Sequence, residues 1–83
     1  MRFTIEQRLL TDMSGKPLAG ASAAAFHTLE AGDPDDAVRL FARHHGAEIL
    51  GDVLKFPGFQ AVATLRNSAG VYTIQVTPAS QPP

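Results

Sequence analysis

Gly32-Asp33-Pro34-Asp35-Asp36-Ala37-Val38-Arg39-Leu40-Phe41-Ala42-Arg43-His44-His45-Gly46 holds a complete set of start and stop signals for one helix. The Asp33 carboxylate can accept from the free N–H groups of a first turn, which makes it a good N-cap. Pro34 falls at the first helical position, where a missing N–H costs nothing. Asp35 and Asp36 place negative charge at the positive end of the helix dipole. Gly46 supplies the left-handed stop. The spacing therefore predicts a helix over about 34–45. At 100° per residue Ala37, Leu40 and Phe41 form an apolar stripe with Val38 on its flank. Asp35, Arg39 and Arg43 lie opposite, and Asp35 and Arg39 make a favourable i,i+4 pair. Such a one-sided helix packs on a sheet.

The chain on either side of the helix reads as strands. Residues 3–9 alternate, with Phe3, Ile5 and Leu9 on one side and Thr4, Glu6 and Arg8 on the other; Gln7 interrupts the apolar side. Period two means a half-buried strand. Thr11-Asp12-Met13-Ser14-Gly15-Lys16-Pro17 is a turn built from residues that bond their own backbone or preset φ. The alanines of 21–31 favour helix. The opposition of Phe26, Thr28 and Glu30 to His27, Leu29 and Ala31 favours a strand over 24–31, which would feed directly into the capped helix. Ala47 to Phe56 reads as a third strand, with Ile49 and Val53 on one side and Leu50, Leu54 and Phe56 on the other. Phe59 to Arg66 alternates with Phe59, Ala61, Ala63 and Leu65 together. Asn67-Ser68-Ala69-Gly70 is a hairpin connection. In 71–77, Tyr72, Ile74 and Val76 share a face. The order is β-β-α-β-β-β: an α+β, two-layer domain with a mainly antiparallel sheet and one helix on one face. The expected domain is 1–77, with 78–83 a disordered tail.

Composition narrows the class. Eighty-three residues, 45% hydrophobic and 18% charged, describe one small globular domain. Seven Lys and Arg against eight Asp and Glu leave a net charge of −1. Proteins that grip nucleic acid backbone show a basic excess or stripe. No apolar run approaches the ~18 residues of a membrane helix, so no membrane partner is expected. Without cysteine there is no disulfide, thiolate nucleophile or Cys-based zinc site, and a reducing, cytoplasmic setting is expected.

Residues able to carry chemistry are few. His27, His44 and His45 are weak candidates for a metal site, which would need a third ligand converging from elsewhere. Asp33, Asp35 and Asp36 stand where a helix start wants them. Gly15 to Ser22 has the two-glycine spacing of a phosphate loop but carries Ala21 where that loop needs Lys, and Pro17 removes a cradling N–H. No serine sits in a nucleophile-elbow sequence. No catalytic residue and no cofactor are expected, and the protein reads as a non-enzyme.

The strands carry apolar residues on both sides, yet a helix of about twelve residues, ~18 Å long, covers one face. Phe26, Leu50, Leu54 and Phe56 fall on the uncovered face and mark an interaction surface. A second copy of the chain is the simplest partner, which makes a homodimer the leading expectation, with an unknown protein partner as another. Two other functions remain open. One is a small nucleic-acid-binding module stacking bases on Phe26, Phe59 or Tyr72, with charge from Arg39, Arg43, His44 and Lys55. The other is a small-ligand or metal-binding protein using the histidines.

Overall fold

Among the described residues five strands and one helix follow in the expected order: β1 (Arg2–Leu9), β2 (Ala25–Glu30), α1 (Pro34–His44), β3 (Glu48–Phe56), β4 (Gln60–Asn67) and β5 (Gly70–Pro78). The computed structural model describes residues 1–11, 14, 16, 17 and 24–79. The turn after β1 is described only in part, with an antiparallel bridge between Thr11 and Pro17. Most of Gly15 to Ser22, read as a turn, and most of 21–24 lie outside the described residues. β5 carries its ladder to Pro78, opposite Phe3, one residue into the segment expected as a tail; residues 80–83 lie outside the described residues.

The helix forms for the reasons its sequence states. Asp33 is the N-cap, and its Oδ1 accepts from the Asp36 N–H at 2.7 Å. Asp36 Oδ2 in turn accepts from the Gly32 N–H at 3.1 Å. Arg39 donates to Asp35 one turn below. At the other end Gly46 takes φ +58°. Its N–H then bonds Arg43 O at 3.3 Å, and the Ala47 N–H bonds Ala42 O at 2.8 Å. This paired bonding across a left-handed glycine satisfies the last carbonyls and turns the chain toward β3.

The sheet is antiparallel throughout, in the order β2-β1-β5-β4-β3. β2 and β3 are therefore the two edges, and the β2-α1-β3 connection carries the chain from one edge to the other. The helix lies on β3, β4 and β5 and reaches β2. Between the layers sit Phe3 and Ile5 of β1, Ala61, Ala63 and Leu65 of β4, Tyr72, Ile74 and Val76 of β5, and Ala37, Val38, Phe41 and Ala42 of α1. Small alanines on both layers let the helix approach the sheet, and Phe41 and Tyr72 fill the space beside them.

Three local expectations change. The buried stripe of α1 is Ala37, Val38, Phe41 and Ala42, with Leu40 half-buried at the side. Two i,i+4 pairs set side by side make a wider face than the 37, 40, 41 triangle, centred between Phe41 and Val38. Phe59 leaves the strand it was expected to open. It sits in the Pro57-Gly58-Phe59 turn at φ +57° and is exposed. The third change is a bulge in β3. Leu50 faces Thr64 and Leu54 faces Val62, so β3 spends two more residues than β4 between these pairs, with Gly51 at φ +71°. An insertion of two leaves the alternation of side chains intact. Leu50, Leu54 and Phe56 accordingly stay together on one face, as expected.

Candidate functional site

The sheet face away from α1 gathers all four residues expected at an interface. In successive registers Phe26 lies opposite Glu6, Glu6 opposite Gln75, Gln75 opposite Val62 and Val62 opposite Leu54. Paired residues of an antiparallel ladder share a face. One row thus crosses the whole sheet, from Phe26 on one edge strand to Leu54 on the other. Leu50 opens the parallel row Leu50, Thr64, Thr73 and Arg8, and Phe56 lies opposite Gln60. Phe26, Leu54 and Phe56 are 67%, 56% and 49% exposed.

The face is not apolar throughout. Thr4, Glu6, Thr64, Thr73 and Gln75 occupy its middle, and the apolar residues stand at its two margins. Six of its charges stand in internal pairs, while Asp52, exposed between Leu50 and Leu54, makes no ion pair among the described residues. Arg2 bonds Glu30 at 3.3 Å, Arg8 meets Glu6 at 2.8 Å and Arg66 meets Glu48 at 2.9 Å. The strand sequences show which side these residues take, but the pairing across strands depends on strand order. Val62, which the alternation of β4 sets opposite Ala61 and Ala63, stands on this face in the centre of the β3–β4 margin. A hollow of about 270 Å³ lies there, between Phe56, Gln60, Val62 and Gln75. A smaller one of about 160 Å³ adjoins it, lined by Glu6, Arg8, Thr73 and Gln75 among others.

The residues expected of a nucleic-acid surface do not converge. Tyr72 is fully buried against α1, edge-on to Phe41 at 6.5 Å, so it offers no face to a base. Burial pushes its phenol pKa up. Phe59 stands in a turn. Arg39, Arg43 and His44 belong to the helical layer, on the other side of the molecule from Phe26. Lys55 lies opposite Ala61 on the helix side of β3, near Asp35. The hydrogen bond from Arg39 holds the Asp35 carboxyl below its usual range.

The histidines form a second cluster, at the C-terminal end of α1 beside edge strand β2. His45 stacks on Phe41 with ring centroids 4.1 Å apart, and His27 meets Phe41 edge-on at 5.0 Å. His27 and His45 are 5.3 Å apart. His27 Nε2 donates to Gln7 Oε1 at 2.9 Å, which explains why a polar residue interrupts the apolar side of β1. With His44, Thr28 and Leu29 these rings line an open hollow of about 290 Å³. Burial, with the nearby His27 and His44 acting in the same direction, holds the His45 pKa below the usual histidine range. Among the described residues no three His, Cys, Asp or Glu side chains are grouped to hold a metal ion. No described helix is long and apolar enough to cross a membrane. No protein-family model, curated protein or solved structure matches the chain.

Proposed function

We propose that this chain is a non-enzymatic interaction module that self-associates through the open face of its sheet. The observation that carries the reading is the exposure of Phe26, Leu54 and Phe56 together on the one face that α1 leaves uncovered. Their positions are self-complementary. β5 is the middle strand of five. A two-fold axis running along β5, between two facing copies, lays each Phe26 over the partner's Leu54, Val62 and Phe56. The hollow beside Val62 then receives the phenyl ring. Gln75 meets the partner's Gln75 at the axis, and a side-chain amide both donates and accepts. The result is an aligned β-sandwich with its sheets ~10 Å apart.

Size and charge support this arrangement. Five strands at ~4.8 Å spacing and ~27 Å length give a face of about 650 Å² per copy. Two such faces bury about 1,300 Å², near the lower end of stable specific interfaces. The three ion pairs offset most of the charge on the face and leave Asp52, exposed between Leu50 and Leu54 at the β3 margin, as a negative charge that the partner copy must leave in water. The same pairing leaves little free positive charge for a phosphate backbone. The cysteine-free sequence fits a cytoplasmic setting for such a dimer.

Light scattering coupled to size exclusion tests the proposal. Wild type at tens of micromolar should run at twice its 8.8 kDa chain mass. Leu54→Glu places a charge in the interface and should give monomers. Arg39→Glu, on the outer face of α1, should leave the dimer intact. A wild-type mass of one chain contradicts the proposal.

A further inference from the structure

The histidine cluster carries a separate inference, independent of the open face. We propose that His27 and His45 form a two-imidazole site for a borderline divalent transition-metal ion of the zinc, nickel or copper class. Two imidazoles bound to one ion through Zn–N bonds of ~2.0–2.1 Å at a near-tetrahedral angle have ring centroids about 5 Å apart. The two rings lie 5.3 Å apart.

The surroundings have the features that such a pair needs. A ligating histidine donates its other ring N–H to a fixed acceptor, which sets the tautomer and orients the ring. Donation from His27 Nε2 to Gln7 Oε1 does this and leaves Nδ1 with its lone pair. His45 is the C-cap of α1, at the negative end of the helix dipole, where a cation is stabilised. Phe41 backs both rings, and the hollow beside them has room for an ion and its water. Water fills the remaining positions, because no third protein ligand is grouped with the pair among the described residues. Such an ion binds more weakly than one in a three- or four-ligand site. His44, on the rim of the same hollow, is not required.

The test uses the metal-free chain without a histidine tag, titrated with zinc chloride. Saturating zinc at about ten times its Kd should raise the melting temperature of wild type by at least about 5 °C. His27→Phe and His45→Phe keep an aromatic ring against Phe41 and remove the donor nitrogens; each should lose more than half of that rise. His44→Ala should keep more than half. No rise in wild type overturns the proposal, as does retention of most of it in either Phe variant or its loss in His44→Ala. A reading without variants comes from substoichiometric Cu²⁺. It should broaden the NMR signals of His27, His45 and Phe41 before those of Phe26 and Leu54, and uniform broadening contradicts the site.

Discussion

Phe41→Ala tests the packing on which both surfaces depend. Phe41 is 2% exposed and stands where the helix, the middle of the sheet and the histidine cluster meet. Its ring has aromatic neighbours on three sides: His45 at 4.1 Å, His27 at 5.0 Å and Tyr72 at 6.5 Å. Truncation removes the transfer free energy of the ring and leaves a cavity that the surrounding strands can close only in part. Phe to Ala changes in cores of this kind cost ~3–5 kcal/mol. Aromatic pairs add ~0.5–1.5 kcal/mol beyond area, which places this site in the upper part of that range. A domain of this length has a total stability of ~4–12 kcal/mol, so the variant loses a third of its stability or more. Urea denaturation followed by circular dichroism measures the change. The midpoint should fall, and the slope should stay that of wild type, because the surface exposed on unfolding is nearly unchanged. A Phe41→Ala chain with an unfolding free energy within about 0.5 kcal/mol of wild type would refute the assigned core, since only an exposed ring is removed at so small a cost.

Further outcomes follow from single contacts. Asp33→Ala removes the acceptor for the Asp36 N–H and should destabilise by ~1 kcal/mol in the same urea assay; no loss would remove the capping argument. Phe59→Gly should stabilise by up to ~1 kcal/mol, because the exposed Phe59 holds a left-handed φ that glycine adopts without strain, and a clear loss would show that the ring makes contacts of its own. His45 sets a pH dependence. Its folded-state pKa lies below the unfolded value, so the unfolded chain binds the proton first as pH falls below about 6.5, and stability declines until the folded-state pKa is passed. Thermal melts at pH 7.5 and 5.5 should show this decline, and His45→Phe should lessen it.

How much of this was legible in the sequence varies with the range of the interaction. Asp33, Pro34 and Gly46 act within one turn of chain, and their roles read directly from residue type. The alternations around Ile5, Leu29 and Ile74 report burial on one side, which a period of two expresses without any knowledge of neighbours. Strand order is different: β1 lies between β2 and β5 because pairings across most of the chain say so, and no local pattern encodes it. The three Arg–Glu pairs of the open face share that dependence. A helical wheel centred on Ala37, Leu40 and Phe41 sets Val38 on the flank, whereas in the fold the small Ala42 joins Ala37 against the sheet and Val38 lies between them, fully buried. The hydrophobicity of Phe59 extends the β4 alternation by one residue, although Pro57 and Gly58 beside it announce the turn in which it sits. The histidines were visible as residues, but their convergence depends on β2 and the end of α1 meeting across the edge of the sheet.

Self-association through the open face is tested most directly by contacts between two distinguishable copies. Mixing a ¹³C-labelled chain with an unlabelled one and recording isotope-filtered nuclear Overhauser spectra isolates intermolecular contacts. The two-fold arrangement predicts cross-peaks from the Phe26 ring of one copy to the Leu54 and Val62 methyl groups of the other, and none from the exposed side of α1. A spectrum without those cross-peaks at a concentration where the mass is that of a dimer, or one in which the cross-peaks arise from α1, would contradict the account.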